Sequence, residues 1–226
     1  MIRLEKGQRI NLEKEGGSKL TSFCVGCNWG AITVEKSGFL GFGKRKEELD
    51  VDVDLSCVMT DESGQLVDTL YSPLYRKEMF TEVGLPIGKD RSADGSMYHS
   101  PDDTEGDKGG NDELDNEIIT VDLNKVSGQI SQIFFFLNIF SPRNIDFMKI
   151  PYASIRMFEG TPRKVNSVFA QYDVAKEPQF AGKDALIMGK LYRRNGEWKF
   201  AAIGEAFSDQ NDLRRTIKRI LDNYAR

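Results

Sequence analysis

Lys190-Leu191-Tyr192-Arg193-Arg194-Asn195-Gly196-Glu197-Trp198-Lys199-Phe200 joins two runs of strand-forming residues through an Asn-Gly pair. Asn and Gly tolerate the positive φ that both central residues of a type I′ turn require, and that turn matches the twist of adjacent antiparallel strands. The stretch predicts a β-hairpin. Outward from it, comparable runs recur at 20–29, 31–36, 50–59, 117–123, 130–140, 154–158, 166–172, 185–193 and 197–203, punctuated by Gly, Asn, Asp and Pro. Short strands spaced in this way predict an all-β fold, an antiparallel sandwich or barrel.

Two stretches interrupt the pattern. Residues 38–48 are glycine-rich and then charged, and read as an insert; residues 73–97 have no clean period and read as a long loop. The end of the chain changes character. Leu213, Ile217, Ile220, Leu221 and Tyr224 fall at helical spacing with Arg214, Arg215, Lys218 and Arg219 between them, and Ser208, Asp209 and Asp212 offer caps near the start. This predicts a C-terminal amphipathic helix over 208–226, packed on one sheet or edge of a single domain spanning 1–207.

With 226 residues, 39% hydrophobic content and 14 Phe, the chain can bury a substantial core. Its net charge of −4 and the lack of a basic stripe with interleaved aromatics exclude a nucleic-acid partner. The longest apolar run, near 133–140, is too short to span a bilayer, and the N-terminus carries Glu5 and lacks the uninterrupted apolar core of a secretory signal, so a cytoplasmic location is expected.

Charge is concentrated in two places. In Asp50-Val51-Asp52-Val53-Asp54-Leu55-Ser56 carboxylates alternate with apolar residues, so strand geometry puts the three aspartates on one face and Val51, Val53 and Leu55 on the other. Neighbours on that face lie roughly 6.6 Å apart and repel by about 2.5 kcal/mol at an effective dielectric of ~20. Such a row calls for a cation. The stretch His99-Ser100-Pro101-Asp102-Asp103-Thr104-Glu105-Gly106-Asp107-Lys108-Gly109-Gly110-Asn111-Asp112-Glu113-Leu114-Asp115-Asn116-Glu117 holds eight acidic residues and one lysine, with glycines that let carbonyls turn inward. Oxygen donors of this kind suit a hard divalent ion, although the EF-hand pattern is absent.

The three cysteines admit a different metal. Cys24 and Cys27 have the spacing of a zinc knuckle, and Cys57 with His99 would complete four ligands. Residues three apart on a strand point to opposite faces, however, so buried thiols in a reducing compartment are the favoured reading. A redox role would need exposed cysteines of low pKa. His99 is the only histidine, which limits any hydrolytic mechanism to that one base; a hydrogen-bonding role beside the acidic loop is preferred.

Taken in order, Leu4-Glu5-Lys6-Gly7-Gln8, Val25-Gly26-Cys27-Asn28-Trp29, Asp52-Val53-Asp54-Leu55-Ser56-Cys57, His99-Ser100-Pro101-Asp102-Asp103-Thr104, Asp115-Asn116-Glu117 and Gly196-Glu197-Trp198-Lys199-Phe200 resemble the TerD family of tellurium-resistance and stress proteins. The resemblance covers about residues 1 to 207. It implies an antiparallel β-sandwich with one or two calcium ions held between the Asp-x-Asp strand and the acidic loop. The implied ligands are Asp52 and Asp54 on the strand, Asp102, Asp103 and Thr104 opening the loop, Asp107 and Asp112 within it, and Asp115 and Glu117 closing it. Gly30, Pro101 and the apparent insertion at 109–114 depart from the family pattern, which leaves Asp107 and Asp112 least fixed.

The function expected on these grounds is a non-enzymatic calcium-binding scaffold or interaction module with protein partners in a stress response. Two other classes stand beside it: a hydrolase using Mg or Mn on the aspartate cluster, and a calcium-dependent binder of membrane surfaces.

Overall fold

In a computed structural model the chain is described over residues 2–13, 17–37, 44–175 and 178–225. In chain order the elements are β1 (Ile2–Arg3), β2 (Arg9–Asn11), β3 (Ser22–Trp29), β4 (Ile32–Ser37), β5 (Lys44–Leu49), β6 (Asp52–Thr60), β7 (Leu66–Leu70), α1 (Lys77–Thr81) and β8 (Met97–His99). They continue with β9 (Glu117–Asp122), β10 (Gln132–Ser141), β11 (Ala153–Thr161), β12 (Lys164–Asp173), β13 (Ala185–Arg194), β14 (Glu197–Phe207) and α2 (Leu213–Asn223).

Two six-stranded sheets form a sandwich. The first runs β1-β12-β11-β3-β9-β8 and the second β2-β14-β13-β10-β6-β7. Pairing is antiparallel in both except for β1 against β12. Between the sheets, Val25, Cys27, Trp29, Ile155 and Met157 from one meet Val53, Leu55, Cys57, Ile133, Phe135 and Leu137 from the other. The expected hairpin is β13–β14: Arg194 pairs with Glu197, and Asn195 and Gly196 both have positive φ, 51° and 79°.

The second sheet is covered on its outer face as well. Phe134 and Phe136, which alternate with the core-facing residues of β10, pack against Leu213, Ile217 and Ile220 of α2 and against Tyr71, Tyr75 and Phe80. A strand buried on both faces is apolar throughout, which explains the unbroken run 133–137. The helix has its N-cap at Asp212, whose side chain accepts from the Arg214 amide at 3.1 Å. Asp209 is used differently, binding the Arg219 guanidinium at 2.6 Å and the Thr216 hydroxyl at 2.9 Å.

Two expectations change. Residues 44–48 of the presumed insert belong to β5, which pairs with β4 in a separate two-stranded sheet, while 38–43 lie outside the described residues. Residues 45–49 are exposed and all but Leu49 are charged, so no apolar alternation marked the strand. The segment 73–97 is not a plain loop either, since it carries α1, and Tyr75 and Phe80 anchor it to the sheet in an edge-on ring pair 5.5 Å apart. Among the described residues, no helix is long and apolar enough to cross a membrane.

Candidate metal centre

The centre begins at the free edge of β6. The partner strand β7 ends opposite Cys57, so the outward amide and carbonyl of Leu55 have no ladder partner. Side chains from the facing sheet fill both places: Glu117 Oε2 accepts from the Leu55 amide at 2.7 Å, and His99 Nε2 lies 2.7 Å from the Leu55 carbonyl. Buried backbone groups need such partners. They also pin the strand at the point where Asp52 and Asp54 leave it, on the face opposite Val53 and Leu55.

The loop after β8 brings Asp102 to the same spot. Carboxylate oxygens of Asp52, Asp54 and Asp102 all lie within 4.8 Å of one another. Asp52 is 6% exposed and Asp54 3%. Tyr75 donates its hydroxyl proton to Asp54 Oδ2 at 2.7 Å, whereas Oδ1 of Asp52 and Oδ1 of Asp102 are buried without a hydrogen-bond partner. Burial, then the nearby charges of Asp102 and Asp103, push the Asp52 carboxyl up to about 7. Burial and the Asp52 charge likewise raise Asp54 well above the usual carboxylate range, and burial with the Asp54 charge does the same to Glu117. Three converging carboxylates with orphaned buried oxygens fit a hard dication and supply part of the six to eight oxygens that calcium takes.

The other residues expected at the centre are placed as follows. Thr104 is exposed and lines the same cleft. Asp103 braces the loop: its Oδ1 accepts from the amides of Glu105 and Gly106 at 2.9 and 3.1 Å, and its own amide points at Glu117 Oε1, 3.3 Å away. Asp107 accepts from Asn116 Nδ2 at 3.0 Å, the Tyr152 hydroxyl at 2.9 Å and Asn28 Nδ2 at 3.2 Å, which makes it the hub of a polar network under the loop. Asp112 is exposed and caps its own turn through the Leu114 amide at 2.9 Å. Asp115 is paired with Arg156, whose Nε lies 2.9 and 3.1 Å from its two oxygens. Asp50, although in phase with Asp52 and Asp54, precedes the strand, is half exposed and pairs with Lys108 at 3.1 Å.

Among the described residues, the Asp52, Asp54 and Asp102 trio is the only group of three or more His, Cys or acidic side chains close enough to share an ion. The cysteines do not converge with His99. Cys27 and Cys57 lie in the intersheet core and Cys24 in a small cluster on the far side of its sheet, all three as buried free thiols.

The trio forms the floor of a cleft of about 590 Å3 whose rim includes Tyr75, Arg76, Arg143 and Asn211. Sequence reading missed these four. They arrive from three separate connections, and no local pattern marks them.

A TerD domain is matched over residues 1–219. The chain belongs to the TerD family. Within that family it is 32% identical over 210 residues to a Bacillus subtilis (strain 168) protein named stress response protein SCP2, a match covering 92% of this chain and 94% of that one. It is 29% identical over 208 residues to tellurium resistance protein TerZ of Serratia marcescens, covering 91% and 90%. A solved structure of a TerD homologue from Streptomyces coelicolor A3(2) superimposes with a TM-score of 0.56 at 14% identity over 86% of this chain and 97% of that one, a likeness in fold.

Proposed function

We propose that this TerD-family chain is a non-enzymatic calcium-binding module of the tellurium-resistance and stress-response type, acting in the cytoplasm as a scaffold for protein partners. The observation that carries the calcium assignment is the convergence of Asp52, Asp54 and Asp102 with two buried oxygens left without partners. All donors are hard oxygens, as calcium prefers, and none is the imidazole or thiolate that would favour zinc. The names of the relatives support the stress-response role, and three buried free thiols suit a reducing compartment.

Physically, the ion's work is to tie the acidic loop to the sheet. Without it, three carboxylates crowd one buried spot; with it, Asp102 is drawn to the strand that carries Asp52 and Asp54. Binding to the folded state alone stabilises it by about 2.7 kcal/mol when free calcium is a hundredfold above its dissociation constant. Titration calorimetry with calcium and magnesium, run beside thermal melts, tests the assignment. Wild-type protein should take up calcium and melt higher. The Asp52→Asn/Asp54→Asn variant should lose both responses and, freed of the buried repulsion, melt no lower than wild type without calcium. Failure of the wild type to bind calcium at millimolar levels sinks the reading, as does phosphoester turnover with Mg or Mn that the double variant abolishes.

A further inference from the structure

The cleft above the trio has the chemistry of a second ligand's seat. Arg76 and Arg143 line it, and among the described residues neither guanidinium takes part in an ion pair or side-chain hydrogen bond. The half-buried Arg214 and Arg156, by contrast, are paired with Asp212 and Asp115. Leu74, Met79 and Phe140 form an apolar wall of the same cleft, with Leu74 70% and Phe140 40% exposed. The volume, about 590 Å3, falls in the range of small-molecule sites, roughly 300–1,000 Å3.

We infer that the cleft binds a small organic phosphate monoester, its phosphate held between Arg76 and Arg143 above the ion site and its organic body against Leu74, Met79 and Phe140. The inference rests on the calcium reading of the trio. Guanidinium groups match phosphate oxygens in charge and fork geometry. Bound calcium makes the seat positive, because the dication and the two guanidinium groups together outweigh the three carboxylates, and it supplies the ion on which phosphate oxygens land. Three carboxylates also leave part of calcium's coordination shell open toward the cleft, where phosphate oxygens are suitable donors. Linkage then requires that the phosphate ester tighten calcium binding by the same factor as calcium tightens the ester.

Phenyl phosphate serves as the probe, titrated into the full chain with calcium and with a chelator, with benzyl alcohol as the uncharged control. It should bind the calcium-loaded protein, fail to bind the chelated protein, and leave the benzyl alcohol trace flat. The Arg76→Ala/Arg143→Ala variant, altered only at exposed positions, should keep its calcium affinity and lose phenyl phosphate affinity by at least about tenfold, the scale of a charged hydrogen bond. Calcium uptake without phenyl phosphate binding overturns this inference alone. Absence of calcium uptake by the wild type overturns the reading beneath it and this one with it. Equal phenyl phosphate affinity in wild type and variant overturns the assigned seat, and release of phenol overturns the binding role by making the cleft catalytic.

Discussion

Tyr75 donates its hydroxyl proton to Asp54 Oδ2 across 2.7 Å, so the α1-bearing segment is fastened directly to the floor of the metal centre. That hydrogen bond pulls the Asp54 carboxyl downward against the larger upward effects of burial and the Asp52 charge. Tyr75→Phe removes the pull. We expect the calcium-free variant to lose about 1 kcal/mol of stability, and its calcium affinity to fall several-fold because Asp54 then holds its competing proton more firmly. Melting curves and calorimetric titrations of the two proteins check both effects; an unchanged affinity would show that the hydroxyl plays no part in setting the site.

Acid should act in opposite directions on the free and the loaded protein. Burial, with Asp102 and Asp103 nearby, holds Asp52 near 7 against an ordinary 3.8, so the folded state binds the proton more tightly than the unfolded chain. The stability this group contributes is complete below about pH 4 and is lost as the pH rises through about 7. Calcium must displace that proton. Its affinity should therefore rise about tenfold between about pH 6 and about pH 8 from Asp52 alone. Titrations in buffers of different ionisation enthalpy would register the proton released; a pH-independent affinity would remove Asp52 from the ligand set.

Local pattern carried the fold further than it carried the site. Asn195-Gly196 between strand formers, the alternation through Asp52, Val53, Asp54 and Leu55, and the helical spacing of Leu213, Ile217 and Ile220 each fix geometry within a few residues, and each is realised in the structure. The outer cover of the second sheet was less legible, because the partners of Phe134 and Phe136 lie some 80 positions away in α2. At the centre, period two placed Asp50 with Asp52 and Asp54, but alternation does not say where a strand starts. Asp50 falls just outside it and pairs with Lys108. The Arg156 partner of Asp115, 41 residues along the chain, is likewise set by the pairing of β11 with β3 and carries no sequence signal.

The thiols should be inert in the folded protein. Burial raises Cys24 to about 11, with the Asp115 charge adding to it, and raises Cys27 and Cys57 as well. A thiolate is the reactive form, and at neutral pH little of it exists here. A disulfide reagent such as Ellman's should react with the native protein far more slowly than with protein unfolded in guanidinium, where all three groups become available. Rapid native reaction at any one of them would reopen a redox role.

Arg156→Ala should be among the more damaging single changes. Among the described residues Arg156 is the only cation paired with Asp115, whose side chain is 1% exposed beneath Gly26, where a Cβ would stand 2.4 Å from the carboxyl. Burial already lifts Asp115 to about 6 although Arg156 pulls it down; without the guanidinium it climbs further. A buried carboxylate stripped of its partner costs about 3–5 kcal/mol while it stays ionised. Protonation relieves the cost, so the loss should be large at about pH 8, shrink as the pH falls toward about 6 and vanish below it, where Asp115 carries its proton with or without Arg156. Denaturant melts of wild type and variant at the two pH values measure the difference. A deficit independent of pH would mean that lost packing of the arginine stem, rather than an unpaired charge, limits the variant, and Asp115→Asn combined with Arg156→Ala would then fail to recover stability.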